Sequence, residues 1–147
     1  RIQEVMVAEE SLPELPGQRP PRDPRGAIEV RGLNLEREAP GGAGRPKRRV
    51  LSEIRFELAA GQTLGIVGHT GAGKTTLVQV LARLLEVPAG VLFYDGEDAL
   101  ELSPKAVRRS IALVPQDAFL FSATLRENVA LGKPEASEEE VLEAVRI

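Results

Sequence analysis

A glycine-rich run in the middle of the chain restricts its possible folds more than any other feature. The run matches G-x-x-x-x-G-K-[ST] and extends it by one threonine, comprising Gly68, His69, Thr70, Gly71, Ala72, Gly73, Lys74, Thr75 and Thr76. The apolar residues 63–67 precede it and predict a buried strand, and residues 77–85 have the apolar spacing of a helix. A strand, a glycine loop and a helix in this order predict a phosphate-binding P-loop within an α/β fold.

The residue types of this loop suit a nucleoside triphosphate. Glycines allow successive backbone N–H groups to point inward at phosphate oxygens, and the N-terminus of the following helix adds positive potential. The Lys74 ammonium can reach the β- and γ-phosphates, and the Thr75 hydroxyl can bind Mg²⁺. His69 is the only histidine in the chain, but it stands at a variable position of the pattern, which favours a loop position over a catalytic role. The flanking strand and helix make a chance match to the pattern the weaker explanation.

The composition excludes several classes of protein. With 147 residues, of which 42% are hydrophobic, the chain can form one domain with a core. Its net charge of −3 gives no support to a nucleic-acid partner. The absence of cysteine excludes disulfides and thiolate metal sites. No run reaches the roughly 18 apolar residues of a membrane span, and the non-methionine start at Arg1 leads us to expect an excerpt of a longer polypeptide.

The N-terminal segment has the composition of a linker. Residues 1–10 have the apolar spacing of the end of a helix, and residues 11–25 contain Pro13, Pro16, Pro20, Pro21 and Pro24. Proline removes backbone donors and favours an extended chain. We therefore predict a linker over residues 1–26 and a folded domain over residues 27–147.

Two strands and a basic loop are predicted before the P-loop. Ordered structure begins at residues 27–30, and residues 50–58 alternate apolar and polar side chains as in a half-exposed strand. Residues 38–49, rich in glycine, proline and basic side chains, predict a hairpin-type loop whose solvated tip is Lys47, Arg48 and Arg49. Contact of this tip with an anionic lipid surface is the alternative.

Shorter elements follow the P-loop helix. Apolar runs predict strands at residues 91–94 and 111–114, and an Asp-Gly turn closes the first of them at residues 95–96. A proline in the first helical position predicts a short helix over residues 104–109. A capping box, S-x-x-E, begins a final helix over residues 137–145. The whole pattern predicts an α/β nucleotide-binding domain with an antiparallel β portion.

The residues after the apolar run 111–114 carry a more specific resemblance. Pro115, Gln116 and Asp117 follow the run, and residues 120–132 read LFSATLRENVALG. Together with the P-loop, these segments resemble the nucleotide-binding domain of ATP-binding-cassette (ABC) transporters of the exporter type, in which a membrane domain precedes the cassette. The resemblance covers residues 27–147, and residues 1–25 look like the junction that follows such a membrane domain.

The resemblance assigns roles to residues in this second region. Gln116 corresponds to the Q-loop glutamine, whose amide oxygen contacts Mg²⁺ or the attacking water, so Thr75 and Gln116 are the candidate metal-binding residues. A neutral amide suits a ligand that must let go, because a carboxylate would hold the metal more strongly. A surface glutamine at the end of a strand is the alternative. Residues 119–126 would lie in the face that receives a coupling helix of the membrane domain, unless Phe119, Leu120 and Phe121 are ordinary core residues.

One departure from the family concerns the adenine base. Cassettes of this type usually place an aromatic residue at the end of the first strand, where it stacks on adenine. Here that position falls near Arg37, and no aromatic residue precedes Phe56. Because a guanidinium can also stack on a π face, Arg37 is a candidate substitute; the alternative is that Arg37 is solvated and adenine is held weakly.

The resemblance implies an ATP hydrolase that uses Mg²⁺ and couples ATP binding and hydrolysis to export across the plasma (inner) membrane. The fold would be the ABC ATPase fold, a P-loop NTPase core with an antiparallel β subdomain, incomplete at the C-terminus. Its partners would be a second nucleotide-binding domain and the intracellular coupling helices of the membrane domains, with this domain on the cytoplasmic face.

Several family motifs have no counterpart within residues 1–147, namely the LSGGQ-like signature, the second acidic strand, the catalytic glutamate and the switch histidine. We therefore expect hydrolysis from the full-length protein and not from this chain alone. A soluble ABC-class ATPase without a membrane domain and a nucleotide-binding module that does not hydrolyse ATP are the alternatives.

Overall fold

The computed structural model describes residues 12–38, 46–116 and 120–146. They belong to two compact units, Arg1–Leu113 and Val114–Ile147. The first unit contains β1 (Ile28–Glu38), β2 (Lys47–Leu58), α1 (Lys74–Leu81), β3 (Leu92–Tyr94), β4 (Glu97–Asp98) and α2 (Pro104–Arg109). The second contains α3 (Leu125–Val129), a 3-10 turn (Ala130–Gly132) and α4 (Glu138–Ala144). The helix predicted within residues 1–10 lies outside these ranges, and no helix within them is long and apolar enough to cross a membrane.

A four-stranded antiparallel sheet in the order β2-β1-β3-β4 forms the base of the first unit. Val30 of β1 lies opposite Phe56 of β2 and Leu92 of β3. The register of β1 against β2 shifts after Val30, where Gly32 has a φ of +65°. Because this irregularity breaks the strict alternation of a strand, Val30 and Leu33 both lie in the core although they are three residues apart.

The β3–β4 hairpin confirms the predicted Asp-Gly turn. Asp95 and Gly96 connect the two strands and have φ values of +50° and +81°. Two successive left-handed residues give the turn the twist that matches the flanking strands, and Asp-Gly is a favoured sequence for it. The predicted strand at residues 91–94 is confirmed with one residue fewer.

Helix α1 covers the sheet with one face. Leu77 and Val80, which are one turn apart, belong to the same core cluster as Val30, Leu33 and Leu92. The helix ends at Leu81, four residues earlier than its apolar spacing predicts, because Arg83 adopts a left-handed conformation with φ +53°. The Tyr94 hydroxyl donates to the Leu81 carbonyl at 2.8 Å and so satisfies one of the carbonyls at the helix end.

The other helices begin at side-chain caps. Ser103 Oγ accepts from the Ala106 N–H at 3.2 Å at the start of α2, and Ser137 and Glu140 form a capping box at the start of α4. The helices predicted over residues 104–109 and 137–145 are therefore confirmed. Thr124 and Glu127 form a second capping box at α3, which the T-x-x-E sequence could have indicated.

The two strands predicted on either side of α1 are wrong for this structure. Residues 63–67 and 111–114 have no strand conformation, and within the described ranges no segment pairs with them. Val67 is 92% exposed and Val114 is 90% exposed. Apolar composition alone does not make a strand, because the backbone N–H and C=O groups need a neighbouring strand as a partner.

The basic tip predicted at Lys47, Arg48 and Arg49 is also wrong. These residues form the start of β2 and pair with residues 36–38 of β1. Arg49 Nε lies 3.8 Å from Glu36 Oε1. Backbone pairing with β1 extends the hairpin further than the glycine- and proline-rich composition indicates, and residues 39–45 of the predicted loop lie outside the described ranges.

Residues 12–26, here called the N-terminal strap, are hydrogen-bonded to the β3–β4 hairpin and the segment that follows it. Arg19 N–H donates to Glu101 O at 3.1 Å, and Ser103 N–H donates to Arg19 O at 2.8 Å. The Asp95 carboxylate accepts from the N–H groups of residues 25, 26 and 27 at 2.9, 3.2 and 2.9 Å. Burial alone would raise the pKa of Asp95, but these hydrogen bonds outweigh it and hold the pKa below its usual value. The strap contains a turn at residues 16–17 and a bend at residues 22–23, and the linker with its boundary after residue 26 stays a prediction.

Candidate phosphate-binding site

The loop of residues 68–73 folds back against β2. Gly71 and Gly73 have φ values of +81° and +91°, a region that side chains rarely adopt. A Cβ at Gly73 would lie 2.9 Å from Val50 O and 3.0 Å from Leu51 Cδ2. A glycine is therefore required at position 73 both by its backbone conformation and by the close approach of β2.

The start of α1 provides backbone donors. Helix geometry leaves the N–H groups of Lys74, Thr75 and Thr76 without partners inside the helix, and no other described residue accepts a hydrogen bond from them. The first turn contains no acidic residue that would compete for these donors. Free N–H groups at the positive end of a helix form a site that suits a phosphate group.

The Lys74 ammonium lies against two backbone carbonyls of the loop. Its Nζ donates to Gly68 O at 2.7 Å and to His69 O at 2.9 Å. An ammonium has three N–H donors, so one remains for an oxygen outside the loop. The two carbonyls thus hold the charge beside the backbone N–H groups, where an anion would approach.

The remaining loop residues support this geometry. The Ala72 N–H donates to His69 O at 3.2 Å, and His69 Nδ1 lies 2.9 Å from Thr70 O. His69 is exposed and its ring contacts the carbonyl of its neighbour, which agrees with a loop position. A Cβ at Gly68 would come within 3.3 Å of Ala72 Cβ, so a small residue is favoured there too.

The Thr75 side chain is exposed at the first turn of α1, and its hydroxyl forms no hydrogen bond with a described residue. No group of three or more His, Cys, Asp or Glu side chains that could hold a metal occurs in the described part of the chain. Mg²⁺ commonly keeps several waters and binds substrate phosphates with few protein ligands. A single free hydroxyl beside a phosphate loop fits that mode of binding.

Arg37 lies near the end of β1, opposite Arg48 of β2. Leu35, two residues earlier on the same strand, pairs with Leu51, and Leu51 and its neighbour Val50 are the β2 residues that approach Gly73. The Arg37 side chain is exposed and forms no ion pair or hydrogen bond with a described residue. The structure thus places Arg37 on the strand pair that supports the phosphate loop.

Gln116 belongs to the second unit, where it is exposed at a bend of the chain. The P-loop belongs to the first unit. A joint role of Thr75 and Gln116 at one metal ion therefore stays a prediction.

Comparison with known proteins identifies the family. A family model described as ABC transporter matches residues 51–147, more than half of the chain. The chain belongs to the ABC transporter family. The antiparallel sheet and the loop before α1 are therefore parts of an ABC cassette, and the predicted fold class is confirmed.

Several relatives of this ABC chain are exporters by name. It is 42% identical over 123 residues to the Beta-(1-->2)glucan export ATP-binding/permease protein NdvA of Rhizobium johnstonii, covering 84% of this chain and 20% of that protein. It is 39% identical over 143 residues to Heavy metal tolerance factor 1 of Caenorhabditis elegans, covering 97% and 17%. A bacterial Atm1-family ABC exporter with ATP bound has a similar structure, with a TM-score of 0.75 and 28% identity, covering 94% of this chain and 23% of that one. The chain spans about a fifth of the length of these relatives.

The second unit of the cassette exposes apolar side chains. Leu120 and Leu125 are each 71% exposed, and Phe121 is 51% exposed. The interpretation of Leu120 and Phe121 as core residues is therefore wrong for this structure, whereas Phe119 lies outside the described ranges. Such exposed apolar residues form a surface suited to a protein partner.

Asn128 fixes the loop before α3, a role that the sequence reasoning missed. Its Oδ1 accepts from the Phe121 N–H at 2.7 Å, and its Nδ2 donates to Thr124 O at 2.9 Å. Thr124 also caps α3, and hydrogen bonds from Thr124 lower the pKa of Glu127 in the capping box. The asparagine side chain, with donors and an acceptor, can satisfy loop N–H and C=O groups at once.

Proposed function

We propose that this chain is the ATP-binding part of an ABC exporter, in which residues 27–147 form part of the cassette and residues 1–26 connect it to a membrane domain. The free N–H groups at the start of α1, with the Lys74 ammonium held beside them, carry the proposal. Relatives named as export ATP-binding/permease proteins favour an exporter over a soluble ATPase.

The loop residues bind and orient the triphosphate. The N–H groups of Lys74, Thr75 and Thr76 donate to phosphate oxygens, and the remaining Lys74 donor reaches the β- and γ-phosphates. The Thr75 hydroxyl and the Gln116 amide oxygen would hold Mg²⁺, which neutralises charge on the phosphates when bound. These residues position the terminal phosphate, and the hydrolytic step belongs to the full-length protein.

The wider assembly is proposed from the relatives. Two cassettes would close around ATP, and opening after hydrolysis would drive alternating access in the membrane domains. The exposed side chains of Leu120, Phe121 and Leu125 would receive an intracellular coupling helix, so that this domain lies on the cytoplasmic face of the plasma (inner) membrane.

A Lys74→Ala variant of the full-length protein tests the central proposal. Because it removes the charge that faces the phosphates, we expect MgATP affinity to fall at least about 100-fold, a loss of roughly 3 kcal/mol typical of a charge-assisted contact. Lys105→Ala, which removes an exposed lysine from α2, is the control and should leave affinity unchanged. Affinity retained by Lys74→Ala in a folded protein would rule out the assignment.

Adenine is proposed to stack on the Arg37 guanidinium. At an exposed site such a contact contributes about 0.5–1 kcal/mol, so Arg37→Ala should weaken ATP binding roughly threefold and leave inorganic tripolyphosphate binding unchanged. Arg48→Ala, on the opposite strand, serves as the control for loss of positive charge. Equal weakening for both ligands would assign Arg37 to general electrostatics and not to the base.

A further inference from the structure

The pairing of β1 with β2 contains two irregularities that cancel each other. Between Val30 and Leu33, β1 has one residue more than the opposing stretch of β2. Between Leu33 and Leu35, it is β2 that has one residue more. Each extra residue shifts the register by one position, and a shift of one position turns the following side chains to the other face of the sheet. Because the second shift reverses the first, Leu35 and Leu51 pair in the same register as Val30 and its partner.

Both irregularities contain a residue with left-handed backbone. Gly32 in β1 has a φ of +65°, and Glu53 in β2 has a φ of +51°. Glycine adopts this region readily, whereas a glutamate rarely does. The conformation of Glu53 therefore depends on support from its surroundings.

The Asn34 side chain connects the two irregularities. Its Oδ1 accepts from the Glu53 N–H at 3.1 Å, and its Nδ2 donates to Glu53 Oε1 at 2.7 Å and to Gly32 O at 3.0 Å. Arg55 Nη2 donates to Glu53 Oε2 at 2.8 Å. The hydrogen bonds from Asn34 and Arg55 lower the pKa of Glu53, which keeps its carboxylate ionised as an acceptor. Asn34 and Glu53 are both exposed, so this network supports the backbone and not the core.

The phosphate loop contacts β2 close to this network. A Cβ at Gly73, the N-cap of α1, would lie 2.9 Å from Val50 O and 3.0 Å from Leu51 Cδ2. Val50 and Leu51 are only three and two residues from Glu53. A slip of β2 by one residue would move them by about 3.4 Å along the strand, which is more than the close contact at Gly73 allows.

We propose that Asn34 and Glu53 are positioning residues for the phosphate loop. They hold the irregularity that sets the register of β2, and this register places Val50 and Leu51 against Gly73. The backbone donors at the start of α1 follow directly after Gly73. The proposal rests on the proposed function of the loop, and both side chains act through β2 and not on the nucleotide.

Two substitutions of Glu53 in the full-length polypeptide test the proposal. Glu53→Val should weaken MgATP binding roughly tenfold, because a β-branched residue disfavours the left-handed backbone and the loop donors would lose their alignment with the phosphates. Glu53→Gly also removes the carboxylate, but it retains that backbone and the N–H that donates to Asn34, so affinity should change by less than about twofold. Equal affinities in the two variants would overturn the proposal.

Glu57 provides the matched control. It is an exposed glutamate of the same strand, in the regular part of the pairing opposite Glu29. Glu57→Val and Glu57→Gly should both leave MgATP affinity unchanged. A weakening by Glu57→Val equal to that by Glu53→Val would contradict a specific role of the irregularity.

Inorganic tripolyphosphate separates the phosphate loop from the base. Its binding should weaken in Glu53→Val by the same factor as that of MgATP, because the displaced groups are those that face the phosphates. A loss confined to MgATP would assign the effect to the Arg37 end of β1, against the proposal. Asn34→Ala, which introduces no β-branched residue, gives the same test if Glu53→Val does not fold. It should weaken both ligands roughly fivefold, and unchanged affinity would overturn the proposal.

A double-mutant cycle with Gly73→Ala needs no nucleotide. Gly73→Ala should lower the melting temperature by roughly 6 °C in the parent protein and by less than about 3 °C in Glu53→Val, because β2 would no longer lie against the new Cβ. Equal decreases would overturn the proposal. A parent protein that binds no MgATP would overturn the proposed function, and the cycle would still decide whether Glu53 fixes β2 against Gly73.

Discussion

The antiparallel sheet and the two apolar runs of residues 63–67 and 111–114 have similar side chains but differ in exposure. Leu33 and Leu92 in the sheet are fully buried, whereas Val67 and Val114 in the runs are 92% and 90% exposed. Each sheet strand pairs with a described neighbour, and β3 and β4 are joined by a two-residue turn. The runs pair with no strand in the described ranges. The comparison shows that burial of an apolar strand depends on an available hydrogen-bonding neighbour as well as on its side chains.

The first prediction tests this difference with two side-chain truncations to alanine, both made in the 147-residue chain. Leu92→Ala should lower the free energy of unfolding by about 3 kcal/mol, because it leaves a cavity in a fully buried part of the core. Val67→Ala should change it by less than about 0.5 kcal/mol, because its side chain is already in water. Denaturant unfolding measures both.

A loss of unfolding free energy well above about 0.5 kcal/mol for Val67→Ala in the 147-residue chain would contradict the contrast between sheet and run. A larger loss in the full-length polypeptide than in this chain would mean that another part of the protein covers the run.

A second prediction concerns Gly73, where the phosphate loop contacts strand β2 of the sheet. Gly73→Ala should destabilise the 147-residue chain by about 2 kcal/mol, because the new Cβ would lie 2.9 Å from the backbone oxygen of Val50 in β2. Gly71→Ala has a similar positive φ but meets no atom within 4 Å, so its cost should be only about 1 kcal/mol from the backbone. Equal costs, measured by unfolding, would mean that the contact with β2 contributes nothing to the loop.

The smallest expected effect concerns the edge of the sheet, where Asp95 holds the strap. Its pKa is lowered in the folded state, so its ionised form stabilises the fold at neutral pH. This contribution is present above the usual pKa of an unfolded aspartate and is lost as the pH falls through the lower folded value. At this partly exposed position we expect about 1 kcal/mol after screening by solvent.

Unfolding of Asp95→Asn as a function of pH measures this contribution. The difference from the parent chain should be present at pH 7 and should shrink in acid. Asp23→Asn, which removes an exposed aspartate whose one partner among the described residues is the Arg25 side chain, should leave stability nearly constant. A pH-independent deficit in Asp95→Asn would assign its effect to the shape of the turn.

Local signals predicted the turns and the helix starts. Asp95 and Gly96 form the predicted turn, Ser103 and Ser137 cap the predicted helices, and the residues of the P-loop lie together. Each of these features depends on neighbours within a few residues, so a sequence pattern contains most of the necessary information. The end of α1 was not predictable in this way, because Arg83 leaves the helix to place its side chain in the interior.

By itself the sequence determined the phosphate loop, the fold class and the family resemblance, because glycine spacing, caps and apolar periodicity act over short distances. Only the tertiary structure decided which apolar runs are buried, which residues extend β2, how Gly73 is fitted against Val50, and that the Arg83 side chain is buried. Those outcomes depend on groups that are distant in sequence, and their free energies are set by packing and by the availability of hydrogen-bond partners.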